Sequence, residues 1–388
     1  MTYDPWAWGV APKTAQPPWQ NERQILWLST STTHIMSELA AQLQALGIRI
    51  EPTDAVFRTG SDMHDYAQGF QSCIPQEVHF MNAELRNCHI MGVGVFPCLF
   101  SGSGHVYEFV RTLRKCIYGK VKHAVQLRLH PNGNGTFVRT NVEVAIKVMS
   151  KAIIQQGNLQ ENPLVELATQ QYLSTPGHPH IECLHDPEFI YAVLPFCRGG
   201  ELFSLVETGG AMDEGECRRW FTQVLRGVAY LQSRYICHRD MSLENVLLDG
   251  NTSKIIDFGL CVGVPVDANG MTYALPPSGA VGKIFYMPPE IYRNQVPFNG
   301  FAADIWSMGV MLFIMVTGAP PFERPDDMDP RFQMIATGRM NEMLDSWGMT
   351  HVSSAVRDLL NRLLVVQDPS RRLSLDQIMQ HPWVLEST

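Results

Sequence analysis

The sequence has no run of the roughly eighteen apolar residues that a membrane span needs, and no Cys-x-x-Cys pair. Met1–Gln20 lacks the basic start and apolar core of a secretory leader. No transmembrane segment is therefore expected. Charge is scarce as well. Asp, Glu, Lys and Arg make up 18% of the chain, and 38 acidic residues against 30 basic ones leave a formal net charge of −8. Nucleic-acid binding would need clustered excess Lys and Arg, so it is not expected. Nine cysteines (Cys73, Cys88, Cys98, Cys116, Cys183, Cys197, Cys217, Cys237, Cys261) are odd in number and scattered. That pattern excludes a secreted disulfide framework and a zinc ribbon, and points to a reducing cytoplasmic or nuclear setting. What the chain does have is length. Its 388 residues, 45% hydrophobic, suffice for two domains or for one bilobal domain with an extension.

Residues 1–20 hold four prolines and three tryptophans without helical or alternating period, and read as a flexible tail. Residues 21–105 read as a small α/β unit. Gln24–Leu28 suits a strand, and Ile35, Met36, Leu39, Ala40, Leu43 and Leu46 recur at helical spacing before Gly47. In this unit Cys73, His79, Cys88 and His89 match no zinc spacing. From residue 106 to 385 the pattern changes. Strand-like segments at Tyr107–Leu113, Lys120–Leu129 and Glu143–Met149 precede helical stretches at Glu214–Ser233, Ala302–Val316 and Ser354–Leu364. A Gly/Asn turn cluster, residues 130–136, separates the second and third strands. A β-rich lobe (106–197) is thus expected before an α-helical lobe (198–385).

Three short motifs fall in order along this region. Val144-Ala145-Ile146-Lys147 sets an ammonium beside a buried strand. His238-Arg239-Asp240 is followed by Asn245, and Asp257-Phe258-Gly259 follows the strand-like Lys254-Ile255-Ile256. By composition, His-Arg-Asp with Asn five residues on should arise in fewer than about one chain in a thousand. Order and spacing together resemble the eukaryotic protein kinases, from Tyr107 to Val384. Asp304-Ile305-Trp306-Ser307-Met308-Gly309, Tyr286-Met287-Pro288-Pro289-Glu290 and His381-Pro382-Trp383 extend the resemblance to the calcium/calmodulin-dependent and AMP-activated Ser/Thr group. The N-terminal unit weakly resembles a KA1 domain in LSTSTTHIMSELAAQLQALGIRI and SGSGHVYEF, although that domain usually follows a kinase.

The resemblance implies an α+β bilobal kinase fold and transfer of the γ-phosphoryl group of Mg-ATP to serine or threonine of a protein substrate. It assigns Lys147 to the α/β-phosphates and Glu166, nineteen residues on, to that lysine, with Glu161 as the other candidate partner. Asp240 would orient the substrate hydroxyl, and Asn245 and Asp257 would offer hard oxygen ligands to Mg²⁺. Gly119, Val121, Ala145, Leu194, Pro195, Cys197, Glu201 and Leu247 complete the nucleotide set, with Leu194 as gatekeeper. Glu290 would pair with Arg372, and Asp304 would hold the catalytic loop. Ser278, twelve residues before Glu290, sits nearest the usual activating phosphosite. Phosphorylation there by an upstream kinase could pair it with Arg239.

The chain departs from the family pattern in several places. Only the third glycine of the Gly-rich loop survives, as Gly119; Arg114 and Cys116 stand where glycines normally let backbone N–H groups approach phosphates. The lysine that Ser/Thr kinases carry two residues after the catalytic aspartate is Ser242. The threonine opening the peptide-groove segment is Lys283, which either restores the displaced charge or is merely solvated. Gln170 occupies a usually apolar place in a spine of Leu184, Gln170, Phe258 and His238. The span from Pro179 to Leu194 is short. These breaks keep a pseudokinase scaffold as the alternative to an active enzyme.

Overall fold

The computed structural model describes Ile74 and residues 78–132, 134–156, 161–174, 181–266 and 272–386. The expected tail, the strand and helix within residues 24–50 and Cys73 lie outside them. The described chain divides into two compact units, one up to Arg198 and one from Gly199.

The first unit is built on a closed barrel of seven strands. These are β1 (Met81–Ile90), β2 (Gly94–Ser101), β3 (Val106–Cys116), β4 (Gly119–Leu129), β5 (Thr136–Ser150), β6 (Glu182–His185) and β7 (Phe189–Pro195). Sheet order is β1-β2-β3-β4-β5-β7-β6. The ring closes because β1 pairs in parallel with β6 (Met81 opposite Leu184) and with β5 (Ile90 opposite Phe137). Two helices, α1 (Lys151–Gln155) and α2 (Pro163–Leu173), interrupt the sheet. Asn162 caps α2 by accepting from the N–H groups of Leu164 and Val165, and Pro163 supplies the preset first helical turn.

The barrel corrects one expectation. A division at 105/106 would separate β2 from β3, yet these strands pair from Cys98–Glu108 to Phe100–Val106. Their side chains share a core: Leu99 is buried with Tyr107, Ala124, Val144, Ile146, Val148, Leu184, Tyr191 and Val193. Residues 81–101 therefore belong to the same sheet as the expected lobe, and that lobe ends at Arg198, one residue later than expected. The SGSGHVYEF stretch is the end of β2, its turn and the start of β3. Within the short 179–194 span, β6 and β7 form a tight hairpin. At its turn Asp186 accepts from the N–H groups of Glu188 and Phe189 and from the Tyr191 hydroxyl.

The second unit is helical, with α3 (Phe203–Gly209), α4 (Glu214–Ser233), α5 (Pro289–Arg293), α6 (Gly300–Thr317), α7 (Pro330–Ala336), α8 (Met340–Ser346), α9 (Ser354–Leu363), α10 (Leu375–Met379) and α11 (Pro382–Leu385). Short strands β8 (Gly200–Glu201), β9 (Ile236–Cys237), β10 (Val246–Asp249), β11 (Thr252–Ile255) and β12 (Val262–Gly263) pair beside them as β11-β10-β8 and β12-β9. Helix α6 has 18 residues and a mean hydropathy of 1.6, long and apolar enough to cross a membrane by those measures, although Asp304 interrupts its apolar run. It is 89% buried within the protein, as an all-round apolar core helix should be.

Candidate active site

In the barrel unit, β5 carries Lys147 between Val121 of β4 and Ala192 of β7. Its Nζ donates to Glu166 Oε2 at 2.6 Å, and the two side chains are only 10% and 3% exposed. Glu166 reaches that place because the Asn162 cap fixes where α2 starts. Glu161 does not displace it. Its carbonyl instead accepts from the Tyr118 hydroxyl at 2.5 Å. Of the expected nucleotide residues, Gly119 and Val121 lie on β4, Ala145 on β5 opposite Leu194 of β7, Pro195 at the end of β7, and Cys197 just beyond it, buried.

The glycine-poor loop is a hairpin whose ladder runs to Cys116 opposite Gly119, leaving Ile117 and Tyr118 as the turn. Gly119 is required there, since a Cβ would stand 2.2 Å from the Val148 carbonyl oxygen. Tyr118 is fully buried and anchors the turn at Glu161. The sequence motif gives no sign of this anchor. Burial pushes the Cys116 thiol above its usual range, with Lys147 opposing the shift.

In the helical unit, Asp304 of α6 is 1% exposed and accepts from the N–H groups of His238 and Arg239 at 2.8 and 2.9 Å. Burial raises its carboxyl above the usual value against these bonds. His238 shares a hydrogen bond with the Ile256 carbonyl at 3.0 Å, and its ring lies 5.2 Å from that of Phe258. Asn245 donates through Nδ2 to the Asp240 carbonyl at 2.8 Å and to its Oδ2 at 2.7 Å. With Nδ2 committed, the amide oxygen is the end left to a cation. Arg239 and Asp257 both hold positive φ, +62° and +69°. Such strain in non-glycine residues persists only where the surroundings enforce it, and it gathers at functional sites. Leu247 and Glu201 sit opposite each other in the β10–β8 pair.

Lys283 also lies at this loop. Its N–H donates to Asp240 Oδ1 at 3.0 Å, while Nζ donates to Asp240 Oδ2 at 2.8 Å and to Ser242 Oγ at 3.0 Å. Gly282 (φ +96°) permits the approach, because a Cβ there would stand 2.8 Å from the Arg239 carbonyl. Nearby, Arg239 Nη1 donates to Ser278 Oγ at 2.6 Å, and Arg372 grips Glu290 through both Nη atoms at 2.6 and 2.9 Å. The sequence reading missed the contact between Glu244 and Tyr286. Burial and then Glu244 hold the Tyr286 hydroxyl well above its usual range, and one Glu244 oxygen is buried without a partner.

Comparison with known proteins identifies the family. The family model for the protein kinase domain matches residues 134–384. Serine/threonine-protein kinase SAPK1 of Oryza sativa subsp. japonica is 33% identical over 258 residues, which are 64% of this chain and 70% of that protein. Serine/threonine-protein kinase SRK2J of Arabidopsis thaliana is 34% identical over 257 residues, again 64% and 70%. CBL-interacting protein kinase 31 of Oryza sativa subsp. japonica is 31% identical over 280 residues, 71% of this chain and 57% of that protein. The chain belongs to the protein kinase domain family.

Proposed function

We propose that this chain transfers the γ-phosphoryl group of Mg-ATP to serine and threonine hydroxyls of protein substrates through Lys147, Glu166, Asp240, Asn245 and Asp257. It is a serine/threonine protein kinase, and the relatives it matches give the pseudokinase alternative no support. The observation that carries the residue assignment is the buried Lys147–Glu166 pair. Desolvating two charges costs several kcal/mol that apolar residues would not, so a pair kept there serves a polyanion better than it serves stability.

In this reading Lys147 neutralises phosphate charge and Glu166 fixes its long stem. Asp240 accepts or orients the proton of the acceptor hydroxyl, held by Asn245 on one side. The family resemblance assigns Val121, Ala145, Leu194, Pro195, Cys197, Glu201 and Leu247 to the adenosine, and Gly119 carries the phosphate hairpin. The donor set suits Mg²⁺. One carboxylate (Asp257) and one amide oxygen (Asn245) leave the remaining positions to phosphate and water, as Mg²⁺ prefers. Among the described residues no group of three or more His, Cys, Asp or Glu side chains forms a self-sufficient cage. The ion, when bound, neutralises charge developing on the transferred group. Ser278 is proposed as the target of an upstream kinase. The scattered, odd number of cysteines without a Cys-x-x-Cys pair supports a cytoplasmic or nuclear setting.

The test is transfer of radiolabelled γ-phosphate to a mixed peptide library by wild type and Asp240→Asn at matched concentration. Losing the proton acceptor should cut transfer by about 100-fold or more, with label on serine and threonine in the wild type. Equal transfer by both would overturn the assignment.

A further inference from the structure

Lys283 stands where no sequence rule requires a cation, and it touches both Asp240 and the residue that replaces the usual catalytic-loop lysine. We infer that Lys283 is the γ-phosphate-facing cation of this enzyme, moved from the catalytic loop to the activation segment. The inference rests on the phosphotransfer reading above.

Three observations carry it. The first is position. Ser242 is fully buried and its hydroxyl is neutral, yet its Oγ accepts from the very ammonium that now stands beside Asp240. The second is valence. An ammonium has three N–H donors, of which Asp240 Oδ2 and Ser242 Oγ take two. The side chain is 32% exposed, so the third donor has room for an anion that arrives beside Asp240. The third is restraint. The Lys283 N–H is bound to Asp240 Oδ1, and Gly282 admits the backbone where any side chain would strike Arg239. A lysine solvated by default would not be fixed at its backbone, its ammonium and its preceding residue at once. A cation preset beside the acceptor oxygen costs no reorganisation when charge develops on the transferred group.

The experiment is a swap. Lys283→Thr should lower kcat about 100-fold, the usual scale for one preorganised charge donor. It should also weaken binding of a non-hydrolysable ATP analogue about tenfold relative to ADP, because only the analogue carries a γ-phosphate. Calorimetric titration of both nucleotides with Mg²⁺ reads that ratio without catalysis, and the melting temperature reads folding. Ser242→Lys placed on Lys283→Thr returns an ammonium to the same spot from the other side. It should recover at least tenfold in kcat and restore the binding ratio. Ser242→Lys alone crowds two ammonium groups together and should lower the melting temperature, giving a non-additive cycle. Unchanged kcat and an unchanged nucleotide ratio in Lys283→Thr would overturn the inference. So would a folded double variant no better than Lys283→Thr; should the double not fold, the binding ratio of the single variant decides. If wild type transfers no phosphate, the kinase reading itself falls. If wild type and Lys283→Thr transfer equally, only the relocation falls.

Discussion

Gln170 is the residue whose sequence-level oddity the structure makes measurable. It is 6% exposed on α2, and its Oε1 is buried without a hydrogen-bond partner. An amide oxygen stripped of water and left unbonded costs about 1–3 kcal/mol. Leucine has nearly the same volume and no polar atom, so Gln170→Leu should raise the free energy of unfolding by about 1–2 kcal/mol. Urea denaturation gives the answer as an upward shift in midpoint at unchanged slope. A downward shift would mean that the amide makes a bond in solution that outweighs its desolvation. The backbone is not at issue, since the Gln170 carbonyl keeps its bonds to the Ser174 N–H and hydroxyl in either variant.

At the scale of elements, the proposed phosphosite Ser278 lies in the segment between Asp257 and Glu290. Arg239 is fixed at positive φ, and its guanidinium donates to the Leu260 carbonyl at 2.8 Å and to Ser278 Oγ at 2.6 Å. Burial lowers its affinity for the proton, against the opposing pull of Cys237, Cys261 and Asp304. A phosphate on Ser278 adds roughly −1.5 to −2 charge and three acceptor oxygens at that point. Ser278→Ala should therefore hold kcat about tenfold or more below that of the phosphorylated wild type, and phosphatase treatment of wild type should match it. Phosphopeptide mapping that finds Ser278 unmodified in fully active protein would refute the switch. Local elements such as these were largely legible in the sequence. Helix α4 falls on the predicted residues, and Lys147 meets Glu166 as the spacing suggested, because strand period, helix period and caps are encoded within a few residues. What stayed hidden depends on partners distant in sequence. Tyr118 meets Glu161 across 43 positions, and nothing near Tyr118 announces that bond. The closing strand β1 meets β6 across about a hundred residues, so reading 81–101 as part of a separate unit was natural from local pattern and wrong in space.

For the whole molecule, that long-range closure decides where the catalytic chain begins. The family model starts at residue 134, but the barrel that presents Lys147 needs β1 and β2 to complete its ring. Glu182 of β6 draws in the same region from outside, accepting from Ser103 Oγ at 2.9 Å and from the Tyr107 hydroxyl at 3.0 Å, and pairing with His105. Removing residues 1–105 would leave the edges of β3 and β6 unpaired and uncover the core that Leu99 now seals, an invitation to aggregate. A milder probe leaves the chain intact. Leu99 is fully buried against Tyr107, Ile146 and Leu184, so Leu99→Ala removes its contacts and leaves a cavity costing about 2–5 kcal/mol. Because the same core backs the strand that carries Lys147, nucleotide binding by Leu99→Ala should weaken at temperatures where wild type still binds. Thermal melts with and without Mg-ATP read both effects. If residues 81–101 were a detachable domain, a chain shortened to residues 106–388 would melt cooperatively as a soluble monomer, and Leu99→Ala would leave the nucleotide-dependent rise in melting temperature unchanged.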